Sequence, residues 1–190
     1  MVTRISAQQA ATGAAKKAAK NVRRVVSGTL GLSGERMTKV DTAWLRMDSE
    51  SNLMMIVGVW ILRPGITIGA LRERIESKWL KYDRFLQRVE EDAAGATWIK
   101  DTDFDIERQV VVEKLKRKAK QSDQDALQER VGELAMKPLD RKHPLWQFHL
   151  VENYVGPDGG KGSALIIRIH HCIADGIALI SVMNTLVDGG

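Results

Sequence analysis

Apolar positions fall into regular periods only from about Met37 onward. Val40, Ala43, Trp44 and Met47 recur at intervals of three and four, which predicts a short helix with Asp41 near its start. Leu53–Leu62 is an almost unbroken apolar run and predicts a strand buried on both faces, ended by Arg63-Pro64-Gly65. Thr67 can cap a following helix whose core stripe is Leu71, Ile75, Trp79 and Leu80. Phe85–Val89 and Thr97–Lys100 read as strands separated by a turn at Asp92–Gly95. Phe104–Val112 is ambiguous, and Lys114–Lys120 reads as a solvated charge run without the interleaved aromatics of a nucleic-acid surface.

Ser122 and Asp125 resemble a capping box for a helix carrying Leu127, Val131, Leu134 and Ala135, which Pro138 stops. Trp146–Val155 and Ala164–His171 predict strands on either side of the Gly156–Gly162 loop, and Gly176–Val187 predicts an apolar helix. No internal repeat is visible. Strands alternating with helices, some joined by hairpin-length loops, describe an α/β chain with a mixed sheet under helical cover.

Composition narrows the class. The chain of 190 residues is of single-domain size, and 44% hydrophobic with 28% charged residues is a globular balance. Cys172 is the only cysteine, so no intrachain disulfide forms and nothing points to an oxidising compartment. The longest apolar run is half the roughly 20 residues that a bilayer span needs, and the N-terminus lacks the apolar core of a secretory signal. The expected location is cytoplasmic, with peripheral contact at a membrane or lipid inclusion.

That contact is suggested by where the charge lies. Within residues 1–39, eight lysines and arginines against Glu35 give +7, so the rest of the chain sums to −2 for a total of +5. The basic character belongs to the leader, which excludes a nucleic-acid-binding body. Residues 1–36 are Ala- and Lys-rich, and Lys16, Lys20, Arg23 and Arg24 share one helical face. The segment reads as a frayed basic helix and linker: either a solvated tail or an arm for an anionic lipid surface.

The chemistry concentrates in Leu165–Gly176. Strand alternation puts Leu165, Ile167, Ile169 and His171 on one face and Arg168 with His170 on the other. A partly desolvated imidazole at the end of an apolar row is a candidate general base. Asp175 follows four residues later, and Gly176 permits a tight turn into the next helix. Adjacent strand histidines point apart, so His170, His171 and Asp175 converge poorly on a metal, and none is expected. Cys172 lacks a distinct base and orienting partner and reads as a packed thiol.

His170-His171-x-x-x-Asp175-Gly176 matches the HHxxxDG motif of CoA-dependent acyltransferases. Val40-Asp41-Thr42-Ala43-Trp44-Leu45 resembles the opening segment of bacterial wax ester synthase/diacylglycerol acyltransferases, and Pro144-Leu145-Trp146 resembles their PLW motif. The resemblance covers about residues 37–187. It implies a chloramphenicol-acetyltransferase-like fold over residues 37–190 as a single domain. It also implies transfer of a fatty acyl group from acyl-CoA, a co-substrate and not a resident cofactor, to a long-chain alcohol or diacylglycerol.

By the same resemblance His171 is the general base, His170 supports the turn, and Asp175 orients it by pairing with an arginine that the sequence does not identify. Gly176 completes the turn. Pro144, Leu145 and Trp146 lie near the substrate channel, with Trp146 as core packing the equal alternative. No cofactor-binding residues are indicated. Members resemble two tandem domains with the site at their interface, so a C-terminal half is expected to be missing here. The competing expectation is a non-catalytic module that binds lipid or a partner chain.

Overall fold

The computed structural model describes residues 34–93, 95–174 and 176–186. All of the expected basic leader except residues 34–36, together with Asp175, lies outside the described residues. The chain divides into two compact units: Gly34–Ile173, and a second whose described part runs from Ala174 to Leu186 without Asp175.

In the first unit, strand β1 (Glu35–Arg36) precedes helix α1 (Lys39–Met47). Thr38 caps α1 by accepting from the Asp41 N–H at 3.1 Å, which satisfies one of the free donors of its first turn. The predicted apolar stripe is not what the helix buries. Leu45 is 1% exposed, whereas Val40 and Met47 are 66% and 51% exposed. Periodicity identified the helix, but α1 packs on the other side of its axis.

The apolar run becomes β2 (Met55–Leu62), and Thr67 caps α2 (Ile68–Lys78) as expected. Phe85 lies in a 3-10 turn, Asp83–Leu86, and not in a strand; β3 (Gln87–Asp92) starts after it and pairs antiparallel with β4 (Gly95–Lys100). The ambiguous stretch holds a one-turn helix α3 (Ile106–Gln109) and a short strand β5 (Val110–Val112). Helix α4 (Asp123–Ala135) begins at Ser122, whose hydroxyl accepts from the Asp125 N–H. Two long strands follow, β6 (Trp146–Val155) and β7 (Lys161–His170).

Strands β1, β4 and β3 form a small sheet, and the main sheet has the order β2-β7-β6-β5. β5 runs parallel to β6, while the other pairings are antiparallel, so the sheet is mixed as expected. β2 is an edge strand and is not buried on both faces as expected: Val59 and Ile61 are 40% and 44% exposed. A continuous apolar run satisfies the pattern of a doubly buried strand without requiring that both faces be covered.

The main sheet carries different material on its faces. On one, Trp146 and Phe148 pack against Trp79 at the end of α2, with ring centroids 6.0 and 4.9 Å apart. On the other, Leu127 and Leu134 of α4 cluster with Val151, Tyr154, Ala164 and Ile166. Toward the C-terminal end of β7 that second face turns polar, with Gln147 opposite Arg168 in register and His170 beyond. The second unit contains helix α5 (Gly176–Asn184), an apolar segment three residues shorter than predicted. No helix among the described residues is long and apolar enough to cross a membrane.

Candidate functional site

β7 ends at His170, one residue before the predicted boundary, so His171 leaves the apolar row and heads the turn that follows. The backbone N–H groups entering that turn are all hydrogen-bonded. His170 N donates to Leu145 O, His171 N to Met54 O and Ile173 N to His170 O, at 2.9, 2.9 and 3.1 Å. The remaining donor, Cys172 N, reaches the Nδ1 atom of His170 at 3.1 Å. Four consecutive N–H groups that leave the sheet therefore all find acceptors, as buried backbone requires.

His170 supplies one of those acceptors with its side chain. Nδ1 must be unprotonated to accept, which assigns the proton of the neutral ring to Nε2. Nε2 stands 3.7 Å from Asp48 Oδ2, too far for a hydrogen bond but close enough for attraction. The ring is buried, and that burial pushes its pKa down to about 4 against the opposing pull of Asp48. Asp48 is fixed in turn: Oδ1 accepts from Met54 N at 2.8 Å and Oδ2 from Arg141 at 3.1 Å. Arg141 also donates to the Leu45 carbonyl, which ties the end of α1 to the same bracket.

His171 is half-buried, and its ring stacks on Trp44 of α1 with centroids 5.1 Å apart and planes at 24°. Among the described residues, neither ring nitrogen of His171 has a hydrogen-bond partner. Among the described residues the imidazole is thus met by its own backbone's bonding and by one aromatic face. Cys172 beside it is buried, and burial pushes its thiol up to about 12, which suits the packed reading and not a nucleophile.

Pro144, Leu145 and Trp146 are all buried. Trp146 donates from Nε1 to the Phe85 carbonyl at 2.9 Å and sits among Trp79, Phe85 and Phe148. The buried amide of Gln109 donates to the carbonyls of Pro144 and Trp146, while the Leu145 carbonyl receives His170 N. The segment therefore clamps the strand that carries the histidines. Arg168 is buried as well, and donates to Gln147 Oε1 at 3.0 Å and to the Lys137 carbonyl just past the end of α4. Burial lowers its pKa. Asp175 is outside the described residues, and Gly176 opens α5.

The turn thus brings together His170, His171, Asp48, Arg141 and Trp44. Sequence reading named the first two and used Trp44 only as a motif letter and stripe residue. Asp48 and Arg141 carried no local signal, because their partners lie far off in the chain.

Residues 37–189 match the wax ester synthase/diacylglycerol acyltransferase catalytic domain. The chain belongs to this acyltransferase family. It is 29% identical over 161 residues to the probable diacylglycerol O-acyltransferase tgs3 of Mycobacterium tuberculosis, covering 80% of this chain and 56% of that relative. Against tgs1 of the same organism it is 28% identical over 158 residues, with 80% and 33% covered. This family member therefore spans between a third and just over half of the length of these two relatives.

Solved structures agree on the fold. The wax ester synthase/diacylglycerol acyltransferase from Marinobacter aquaeolei VT8 superposes with a TM-score of 0.59 at 18% identity, over 77% of this chain and 36% of that one. A variant of the starter condensation domain of rhizomide synthetase RzmA, in complex with C8-CoA, gives a TM-score of 0.65 at 17% identity, over 81% and 34%.

Proposed function

We propose that this chain supplies the histidine-bearing half of an acyl-CoA-dependent O-acyltransferase that forms wax esters or triacylglycerol. The observation that carries the reading is the His171 ring: half-exposed, stacked on one face and, among the described residues, without a hydrogen bond at either nitrogen, on a turn whose N–H groups from residue 170 to 173 are all bonded. In this reading an acceptor hydroxyl gives its proton to the imidazole as its oxygen bonds to the thioester carbonyl carbon. The carbon–sulfur bond then breaks, and the CoA sulfur takes the proton back from the imidazolium. No acyl-enzyme is needed.

His170 keeps the turn closed around that base. Asp175, by resemblance, orients the turn through a partner arginine, and Gly176 lets the chain bend into α5. The family match and the mycobacterial relatives named as diacylglycerol O-acyltransferases support the acceptor class. The CoA complex of a structural neighbour supports acyl-CoA as the donor. A substrate channel beside Pro144, Leu145 and Trp146, and peripheral lipid contact through residues 1–39, belong to the same proposal.

The test is thiol release from palmitoyl-CoA with hexadecanol or dioleoylglycerol as acceptor. It is run on the chain alone and on the chain supplied with the C-terminal half of a mycobacterial relative. His171→Ala is expected to lower turnover by about 10²–10⁴ in the active form. Wild-type turnover in a folded His171→Ala protein overturns the base. Lipid binding without any turnover in either form favours a non-catalytic lipid-binding module instead.

A further inference from the structure

We propose that Trp44 is a positioning residue for acyl transfer: its indole face sets the plane of the His171 imidazole and steadies the cation formed when that ring takes a proton. The proposal rests on the reading of His171 as the base.

Trp44 does little for the core. Leu45 is the buried residue of α1, whereas Trp44 remains half-exposed beside Val40, Ala43 and Met47 on the open side of the helix. The contact it makes is with His171, at 5.1 Å and 24°, within the range of favourable aromatic stacking. A histidine is usually oriented by a carboxylate or carbonyl on its second nitrogen. Among the described residues, which do not include Asp175, it is the Trp44 face that meets the His171 ring.

The helix that presents the indole is itself secured at both ends. Thr38 caps its start, and at its finish Asp48 and the Leu45 carbonyl are held by Arg141. Asp48 also grips Met54 N, and the Met54 carbonyl receives the backbone of His171. Indole and imidazole are therefore referenced to one short bracket, which makes their spacing reproducible.

The chemistry favours such a contact. A cation over the face of an indole is attracted by the negative face of the ring, and the neutral imidazole is attracted less. The interaction thus strengthens as the proton arrives, which is what lowers a barrier instead of only tightening binding. The oxygen nucleophile and thioester need not touch Trp44.

Trp44→Phe and Trp44→Leu, with His171→Ala as reference, test the proposal by two readouts. In nuclear magnetic resonance spectra of the 190-residue chain, the His171 ring protons should lie upfield through the indole ring current. They should stay partly shifted in Trp44→Phe and move to unstacked positions in Trp44→Leu. In whichever form turns over in the thiol-release assay, Trp44→Leu should lower kcat about tenfold with KM for palmitoyl-CoA within about twofold, and Trp44→Phe should recover most of the loss. Unshifted His171 protons in the wild type overturn the stack. Wild-type kcat in folded Trp44→Leu, with His171→Ala inactive, overturns the positioning role while leaving the base intact. An active His171→Ala, with the upfield His171 ring shifts present in the wild type, overturns the base reading instead.

Discussion

His170 and Cys172 are joined by a hydrogen bond from the Cys172 backbone to the His170 ring. The first histidine of the pair thereby accepts with its ring what its neighbours give to backbone carbonyls. Protonation of Nδ1 would convert that acceptor into a donor and break the bond.

Acid should expose this dependence. His170 titrates near 4 in the folded chain against 6.5 for a free imidazole, and His149 behaves alike, burial again outweighing its neighbour Glu113. Between those values the unfolded chain binds protons that the folded chain refuses. Stability should therefore fall as pH drops from about 6.5 toward 4, by up to about 3 kcal/mol per histidine, and level off below. Urea unfolding of wild type and His170→Asn at a series of pH values checks this. The variant should be weaker at pH 7 but lose less on acidification, and equal slopes would contradict the assignment.

Trp146 should behave as a core residue in stability measurements. Trp146→Ala is expected to cost about 3–5 kcal/mol through the cavity it leaves among Trp79, Phe85 and Phe148. Trp146→Phe should cost less, keeping most of the volume but orphaning the Phe85 carbonyl. Denaturant midpoints that move little in either variant would remove Trp146 from the packing role.

Helix and strand periods located the longer elements, because capping residues such as Thr67 and Ser122 and the Arg63-Pro64-Gly65 break leave local marks, and missed the short ones, Glu35–Arg36, Ile106–Gln109 and Val110–Val112. What failed was orientation and neighbourhood. The side of α1 that is buried, and the edge position of β2, depend on partners remote in sequence. The site divides the same way. His170 and His171 are legible from a motif, whereas the Trp44 stack, the Asp48–Arg141 bracket and the Gln109 clamp exist only after the sheet has paired. The shift of His171 off the strand is a one-residue boundary effect that alternation alone could not register.

Arg168 offers a sharper contrast. Its guanidinium is buried and, among the described residues, bonded to neutral carbonyl oxygens, without a carboxylate in salt-bridge range. Arg168→Ala should be destabilising, since it opens space and removes the donor to the Lys137 carbonyl and one of the two groups that reach Gln147 Oε1. Arg168→Met keeps the volume without the desolvation cost of the charge, and should be clearly more stable than Arg168→Ala. Melting temperatures in the reverse order would indicate that the charge itself holds the fold.

The leader should respond to lipid charge. Deleting residues 1–33 removes six of the eight cations counted up to Lys39 and leaves β1 in place. Binding to phosphatidylserine vesicles should weaken in the truncated chain, and 0.5 M salt (about a twofold shorter screening length than physiological) should erase most of the difference. Equal binding at low salt would leave the leader as a solvated tail.

The strand order of the main sheet also sets a timetable. β2 is made early, yet its partner in that sheet is β7, the last strand of the described chain to leave the ribosome. Roughly a hundred residues must be synthesised before Met55–Leu62 can pair, and bringing such distant segments together is slow because the connecting chain must first be closed. Until then an apolar ribbon with open hydrogen-bonding edges is exposed to other nascent chains. The pairing that closes one of these edges also carries His171 up to Trp44, so the candidate site is assembled only when the last of these strands arrives.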